Sequence, residues 1–492
     1  MVASEQSLSQ LVDLIRGNIP EPAAAIRPLL EGLFGERYQK RHFAPTIVRD
    51  AYSLAAGDAE DGVPYAGLIH PDNPTSGPYG GTSVVWFPTR DAGSLMGFGV
   101  GTRGLAPDEG ILTRPGHRRR IAALRSVLSK GGIEAWSKPD PAALGVAIPK
   151  VTQDRFPGFQ KTFQRYGHEM YCIAKVPSDP EKARVVVAAF LDLYAYERNW
   201  QVLKAAESEA EALQSSLREG LFPAVDPVEV HRLLRRRRFV VLQGPPGTGK
   251  TRLAEHVRKE GFGDHGMTVQ FHPAVTYEDF VVGLSPDPTQ GNLRFDVRPG
   301  WLLQAVHSAK ERPFLLVIDE VNRADLGKVL GEAIYLFEAG EIGSRTVKLP
   351  HQVNGEGSLR LPENLFVLAT MNTADRSIAG MDLAVRRRFA FVTLMPEASV
   401  VEKQGLPNAA RIFRRLLDVF VEHAPDEALD LIPGHAYFLA DNDESLRERF
   451  HYELLPLLDE YLRQGFLGPA GVELQAVRDA VQDLVRGGEL RD

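Results

Sequence analysis

The sequence contains almost no cysteine and has no long apolar segment. Cys172 is the single cysteine among 492 residues, which excludes an intramolecular disulfide framework and fits a reducing cytoplasm. We expect it to be a small buried side chain. No apolar run is long enough to cross a bilayer, and the N-terminus lacks a basic-then-apolar signal segment. We therefore expect a cytoplasmic protein with no membrane partner.

A strong excess of either charge is also absent. Lysine and arginine number 57 against 64 aspartates and glutamates, so the net charge is -7. This balance excludes a chain that binds nucleic acid over its whole surface, and any DNA contact would come from local patches or a channel. The length suits two or three domains.

A phosphate-binding loop lies near the middle of the chain. The apolar residues 239–242 predict a buried strand, which leads into Gly-x-x-x-x-Gly-Lys-Thr and then into a predicted helix. Glycines let backbone N–H groups turn inward around a polyphosphate, and the helix N-terminus faces the same anion. Lys250 offers a cation to the β- and γ-phosphates, and the Thr251 hydroxyl can hold Mg²⁺. The predicted nucleotide-binding residues of the loop are Gly244, Pro245, Pro246, Gly247, Thr248, Gly249, Lys250 and Thr251.

Four further runs predict strands that alternate with helices, which indicates a parallel sheet with ligands at the carboxyl ends of its strands. The runs are residues 268–272, 314–318, 365–370 and 389–394. Asp319 directly follows the third strand of the series and can orient the Mg²⁺ that Thr251 also contacts. Glu320 is placed to polarise a water for attack on the γ-phosphate. Asn372, beyond the fourth strand, can hold that water or the γ-phosphate.

Three arginines precede the last predicted strand. An arginine supplied in trans stabilises charge on a departing phosphoryl group, so we predict that Arg386 or Arg387 reaches a neighbouring subunit. The alternative is that these arginines mark a helix C-terminus, where positive side chains interact favourably with the helix dipole. Asn372-Thr373-Ala374-Asp375 faintly resembles the guanine-reading box of small GTPases, but the lysine of that box is missing. We therefore assign it no base-reading role.

The composition and the apolar spacing of the sequence predict four parts. Residues 1–199 form an α+β N-terminal domain, in which the runs 161–176 and 185–196 are strand or buried helix. Residues 200–229 form a connecting helical segment. Residues 230–397 form an α/β subdomain in which a hairpin at 285–298 interrupts a helix. Residues 398–492 form a helical lid. The predicted fold class is α/β, with a parallel sheet and a helical lid after a separate α+β domain.

Several segments resemble the AAA+ motor of the McrB family, the nucleotide-driven subunits of modification-dependent restriction systems. They are residues 244–251, 319–324, 371–377 and 385–389, with weaker likeness at 271–273, 277–280 and 434–438. The string Met-Asn-Thr-Ala-Asp-Arg-Ser at 371–377 is the most specific. The hairpin at 285–298 matches the helix-2 insert of that AAA+ clade. The resemblance covers residues 230–465 and implies an AAA+ P-loop NTPase.

The resemblance also implies how the motor works. It implies a homo-oligomeric ring, expected to be a hexamer, that hydrolyses GTP with Mg²⁺ at subunit interfaces. ATP stays open, because phosphate loops and metal carboxylates do not read the base. It further implies DNA recognition by the N-terminal domain and a separate McrC-type nuclease, since the sequence shows no nuclease arrangement of its own. In one departure from the wider AAA+ pattern, His435 stands where a sensor-II arginine is expected, and it is a candidate neighbour of the nucleotide.

The predicted function is therefore a GTPase or ATPase that serves as motor and DNA-recognition subunit of a McrBC-like restriction or antiviral defence system. Base flipping needs an aromatic-lined pocket, and Tyr79, Trp86, Phe87 and Trp136 could supply one, although such residues also form cores. The basic run Arg118, Arg119, Arg120 and Arg125 could contact phosphates or form a solvated helix face. The alternatives are a MoxR-like chaperone that remodels a protein partner, and a scaffold with an inactive site.

Overall fold

The chain folds into two compact units. The computed structural model describes residues 5–17, 23–43, 47–50, 63–73, 79–89, 92–287, 294–375 and 383–488. The first unit comprises Met1–Leu221 with Val421–His423, and the second comprises Phe222–Phe420 with Ala424–Asp492. In the described part of the chain, no helix is both long and apolar enough to cross a membrane. The finer predicted boundaries at residues 199, 229 and 397 remain proposals.

The first unit is an antiparallel sheet with helices packed on it. The sheet has the strand order β1-β2-β3-β4-β6-β5. Its strands are β1 (Ile47–Asp50), β2 (Ala66–Ile69), β3 (Thr82–Thr89), β4 (Gly93–Val100), β5 (Ala135–Ser137) and β6 (Met170–Lys175). Its helices are α1 (Gln6–Arg16), α2 (Ala23–Glu36), α3 (Glu109–Leu112), α4 (Pro115–Lys130), α5 (Lys150–Gln153), α6 (Gln160–Tyr166), α7 (Pro180–Glu197) and α8 (Glu207–Leu221).

Both faces of this sheet are covered, so its strands do not show a simple alternation of apolar and polar residues. Side chains alternate along a strand, so Val84 and Trp86 of β3 join the core with α1, α4 and α7, whereas Val85 and Phe87 face a second cluster with α6. The run 161–176, which was predicted as strand or buried helix, forms α6 and β6, and the run 185–196 is part of α7. Cys172 on β6 is fully buried, as predicted, and burial raises the pKa of its thiol to about 12.

A buried ionic cluster lies at the C-terminal end of α7. The Glu197 carboxylate lies 3.0 Å from His117 Nδ1 and accepts a hydrogen bond of 2.8 Å from Arg120 Nε. Burial alone would raise the pKa of Glu197, but the hydrogen bonds and charges of His117 and Arg120 outweigh it and lower that pKa to about 2. Arg120 is therefore a buried ion-pair partner, and neither of the two open interpretations, contact with phosphates or a solvated helix face, fits this residue. Arg125 of the same helix is exposed.

The second unit contains the central parallel sheet and the lid. Its strands are β7 (Phe239–Gly244), β8 (Gly266–Gln270), β9 (Val282–Asp287), β10 (Arg294–Pro299), β11 (Phe314–Asp319), β12 (Val347–Val353), β13 (Glu356–Leu359), β14 (Leu365–Asn372) and β15 (Ala390–Thr393). Its helices are α9 (Pro227–Arg237), α10 (Lys250–His256), α11 (Tyr277–Phe280), α12 (Trp301–Ser308), α13 (Leu326–Leu330), α14 (Leu383–Arg386), α15 (Ala398–Glu402), α16 (Pro407–Glu422), α17 (Asp443–Arg449), α18 (Leu455–Gln464) and α19 (Gly471–Val485).

Five of these strands form a parallel sheet in the order β15-β7-β14-β11-β8. Alternate residues of its strands pack into two separate hydrophobic clusters, one on each face, as expected for continuous apolar runs. The helices of the lid enclose a core of their own. The predicted fold class, a parallel α/β sheet with a helical lid after an α+β domain, is confirmed.

Two local features go beyond the sequence-based expectation. α13 ends at Leu330, and a 3-10 helix, Gly331–Leu336, follows it. Gly331 adopts φ 49, a left-handed conformation that interrupts the α-helix. The hairpin of β12 and β13 was not predicted, whereas the hairpin expected around residues 285–298 is present as β9 and β10.

Candidate active site

The phosphate loop connects the end of β7 to the start of α10. Gly247 and Gly249 have φ values of 77 and 78, a left-handed conformation that other residues adopt only with strain. A Cβ atom on Gly244 would lie 2.0 Å from the Leu394 carbonyl oxygen, so this position admits no side chain. Thr248 and Lys250 are buried, and the Thr248 hydroxyl donates to the Pro245 carbonyl at 2.9 Å. The loop is therefore fixed by its own backbone and its neighbours.

Lys250 holds its ammonium group over this loop. Its Nζ donates to the carbonyl oxygens of Gly244 at 3.0 Å and Pro245 at 2.7 Å. Burial lowers the pKa of Lys250 to about 8, although the negative charges of Glu320 and Asp319 oppose the shift. Among the described residues, these two carbonyl oxygens are its only hydrogen-bond acceptors, so the buried cation is suited to receive an anion such as a phosphate.

Asp319 ends β11 beside the phosphate loop. Its Oδ1 accepts hydrogen bonds from the Thr251 hydroxyl at 2.8 Å and from the Thr370 hydroxyl at 2.5 Å. Hydroxyl and carboxylate oxygens are ligands that suit Mg²⁺. Because Thr251 and Asp319 are already in contact, the pair fits one shared cation, which would neutralise phosphate charge when bound.

Glu320 adopts an unusual backbone conformation next to this pair. Its φ and ψ are 56 and 45, in the left-handed region, and its N–H donates to the Thr370 hydroxyl at 3.0 Å. Asn372 Nδ2 donates to Glu320 Oε1 at 2.7 Å, and Arg323 Nε lies 2.7 Å from Glu320 Oε2. The structure thus brings the two predicted catalytic residues Glu320 and Asn372 into direct contact.

Sequence reasoning missed two residues of this arrangement. Thr370 is 2 % exposed and links Asp319 to the backbone of Glu320 through a single hydroxyl. It was detectable as the one hydroxyl-bearing residue in the apolar run of β14. Arg323 stands three residues after Glu320, inside the segment 319–324 that resembles the McrB family, but no role was predicted for it.

Arg386 and Arg387 stand at and directly after the end of α14. Both are exposed at the end of α14, and the Arg386 guanidinium stacks 4.9 Å from the centroid of the Phe391 ring. Within the described ranges, neither arginine forms a hydrogen bond or an ion pair with the loop of the same chain. The structure does not bring them to the group formed by Lys250, Asp319 and Glu320.

The lid contacts the phosphate loop through the segment that carries His435. Gly434 N–H donates to the Pro246 carbonyl and Ala436 N–H donates to the Gly247 carbonyl, both at 3.0 Å. A Cβ atom on Gly434 would lie 2.1 Å from the carbonyl carbon of Gly247, so the two backbones meet too closely for a side chain. Burial lowers the pKa of His435, and the positive charge of Arg252 lowers it further. His435 therefore lies beside the loop, and its contact with nucleotide stays a prediction.

The strand order, the phosphate loop after β7 and the acidic pair after β11 define an AAA+ P-loop enzyme that hydrolyses a nucleoside triphosphate with Mg²⁺. The family model for the AAA domain (dynein-related subfamily) matches residues 239–389. The EcoKMcrB subunit of the Type IV methyl-directed restriction enzyme of Escherichia coli strain K12 is 30% identical over 349 residues, which cover 64% of this chain and 75% of that protein. The chain belongs to the McrB family.

Two further relatives match shorter stretches. Component YdiS of the Type II restriction enzyme BsuMI of Bacillus subtilis strain 168 is 28% identical over 31% of this chain and 55% of its own length. The E. coli K12 protein YehL is 26% identical over 42% of this chain and 56% of its own length. Both therefore share only part of this chain.

The first unit has a cavity of about 320 Å³ on the β3 face that carries Phe87. Its lining includes Tyr65, Tyr79, Phe87, Arg165, Tyr166 and Glu169. Two of the four aromatic residues predicted for such a pocket, Tyr79 and Phe87, line it. Trp86 does not, because it is fully buried on the opposite face of β3. Trp136 packs beside the same hydrophobic cluster as Phe87 but is not part of the lining.

Proposed function

We propose that this protein is the motor and DNA-recognition subunit of a McrBC-like restriction or antiviral defence system, and that it hydrolyses GTP with Mg²⁺. The carrying observation is the likeness to a methyl-directed restriction enzyme subunit over three quarters of that subunit, together with the contacts among the predicted hydrolytic residues beside the phosphate loop. A separate McrC-type nuclease cleaves the DNA. The base of the nucleotide is proposed by family likeness, and ATP is the competing substrate.

The contacts of the site support a role for each predicted residue. Gly244, Pro245, Pro246, Gly247, Thr248 and Gly249 shape the loop around the phosphates, and Lys250 supplies the cation. Thr251 and Asp319 would hold Mg²⁺. Glu320 accepts a proton from the attacking water, and Asn372 orients Glu320 through the 2.7 Å hydrogen bond. A general base contributes about 10²- to 10⁴-fold to a rate.

Hydrolysis takes place between two copies of the chain. Arg386 and Arg387 are exposed and, within the described residues, form no hydrogen bond or ion pair with the loop of their own chain, which suits a cation supplied in trans. We propose a ring, expected to be a hexamer, in which one of these arginines reaches the triphosphate held by the neighbouring copy. An isolated subunit would then bind nucleotide but turn it over slowly.

The aromatic cavity of the first unit supports a role in reading DNA. Four aromatic rings offer stacking surfaces, and Arg165 and Glu169 offer a hydrogen-bond donor and an acceptor. One carboxylate oxygen of Glu169 is buried and accepts no hydrogen bond within the described residues. An extruded base, modified or not, would stack on the rings and donate to that oxygen.

The test of DNA reading uses the full chain and two duplexes of one sequence, with and without methylated cytosine. We expect tighter binding to the methylated duplex and loss of that preference in Tyr166→Ala. Tyr196→Ala, at an exposed tyrosine of α7, is the matched control and should keep the preference. Equal weak binding to both duplexes would remove the modification-reading part. A hydrolysis rate that rises with a protein partner and not with DNA would favour the MoxR-like chaperone.

The hydrolytic assignment has a separate test. We expect Glu320→Gln to bind GTP and assemble as the unaltered chain does, but to lose at least about 10²-fold in turnover. Phosphate release, nucleotide retention on a filter and sedimentation measure the three properties. Normal turnover in this variant would refute the role of Glu320.

A further inference from the structure

Arg323 lies between two carboxylates and contacts only one of them closely. Its Nε is 2.7 Å from Glu320 Oε2 and 3.8 Å from Asp375 Oδ2. The Asp375 oxygen is buried and has no hydrogen-bond partner within the described ranges. A buried acceptor without a partner is costly, so the second carboxylate offers the guanidinium an alternative position about 1 Å away.

Each carboxylate oxygen of Glu320 has a polar neighbour in this conformation. Oε1 accepts from Asn372 Nδ2, and Oε2 lies 2.7 Å from Arg323 Nε but, within the described residues, accepts no hydrogen bond. A general base must direct an oxygen at the water from which it takes a proton, and geometry decides this before basicity does. As long as Arg323 holds Oε2, the carboxylate is directed at the protein itself.

We infer that Arg323 is a latch on Glu320: it restrains the carboxylate in the resting site and releases it by moving to Asp375. The inference rests on the proposed role of Glu320, and Arg323 is a positioning residue because it acts through that carboxylate. The move exchanges one ion pair for another: the Asp375 oxygen gains the guanidinium, and Glu320 Oε2 becomes available to the water. The Arg323 side chain is 45% exposed, whereas Glu320 is 18% exposed, so a neighbouring copy that closes over the site can reach the guanidinium first.

A simple surface ion pair would have the same spacing of three residues, and such pairs contribute little. Two observations distinguish Arg323 from that case. Glu320 is held in a left-handed backbone conformation, which costs free energy unless its surroundings maintain it. The second acceptor is already in place on Asp375, which a pair that only decorates the surface does not need.

The test compares variants of the full chain by turnover and by affinity for a non-hydrolysable triphosphate. We expect Arg323→Ala to raise basal kcat by about threefold to fivefold, the size set by one partly exposed ion pair, and to change the Kd by less than about twofold. Arg323→Lys keeps the charge and should stay near the basal rate of the unaltered chain. Asp375→Asn should lower kcat in the unaltered chain and have no effect in the Arg323→Ala background.

The control is Arg345→Ala, because Arg345 Nε holds Glu341 Oε2 at 2.6 Å by the same pair of atoms away from the site. It should leave kcat unchanged. A readout without nucleotide is the thermal midpoint: Arg323→Ala and Glu320→Gln should each lower it, and the double variant should fall no further than the larger single effect.

The outcomes separate the latch from the proposed function. If Glu320→Gln abolishes turnover but Arg323→Ala leaves kcat unchanged or lower, the latch is wrong and the function stands. If Glu320→Gln keeps full turnover, the assignment of the base fails and the latch fails with it. Additive effects of Arg323→Ala and Asp375→Asn would also overturn the latch.

Discussion

Replacing Thr370 by valine removes one hydroxyl that organises both acidic residues. The hydroxyl donates to Asp319 Oδ1 at 2.5 Å and accepts from the N–H of Glu320 at 3.0 Å, and the side chain is 2 % exposed. Valine has nearly the same shape, so packing in β14 is kept while both hydrogen bonds are lost. A hydrogen bond to a charged group contributes about 1.5–3 kcal/mol, and a buried N–H left without a partner costs about 1–3 kcal/mol.

These values set the expected loss of activity. If about 2–3 kcal/mol of positioning is lost at Glu320, kcat falls by up to roughly 100-fold. The Kd for nucleotide should change by less than about threefold, because Thr370 does not belong to the phosphate loop. Phosphate release under saturating nucleotide gives kcat, and fluorescence titration of a labelled nucleotide gives the Kd.

A threonine elsewhere on the sheet supplies the control for this prediction. Thr393 ends β15, and its hydroxyl accepts from Gln243 Nε2 at 3.0 Å; in the described part of the chain it forms no hydrogen bond with an acidic residue. Thr393→Val should keep kcat within about twofold. The reasoning is refuted if Thr370→Val has the kcat of the unaltered chain, or if its loss appears wholly in the Kd.

Three other changes test separate parts of the structure. Gly434→Ala places a Cβ 2.1 Å from the Gly247 carbonyl carbon, so nucleotide affinity should fall at least about tenfold in a titration. In the control Gly471→Ala, the added Cβ has no atom within 4 Å, so the affinity should be unchanged. Arg386→Ala should lower kcat by about 10³-fold, and mixing it with inactive Lys250→Ala subunits should restore turnover if the arginine acts in trans; no recovery in the mixture contradicts the shared site. Glu197 has its pKa lowered from 4.5 to about 2, so its contribution to stability is present above pH 4.5 and is lost as the pH falls towards 2. The unaltered chain should therefore lose about 3 kcal/mol more than Glu197→Gln over that interval in urea unfolding, and equal losses would show that the ionic cluster is not stabilising.

The sequence by itself determined the central sheet and the chemical class of the site. Buried parallel strands are continuous apolar runs, so β7, β11 and β14 are visible without a structure. The glycine spacing after β7 and the acidic pair after β11 are local patterns, because each follows directly on its strand. Parallel strands end at one edge of a sheet, and this geometry alone placed Asp319, Glu320 and Asn372 together.

Only the tertiary structure decided what each of these residues contacts. Thr370 contacts the backbone of Glu320, 50 residues away along the chain, and Arg323 Nε lies 3.8 Å from Asp375 Oδ2, 52 residues away; no local pattern encodes such pairs. The same limit explains why the sequence did not reveal that Trp86 and Arg120 are buried. The pattern of a strand or helix shows which side chains share a face. Which face is buried, and which acidic residue a buried arginine meets there, is set only when the elements pack together.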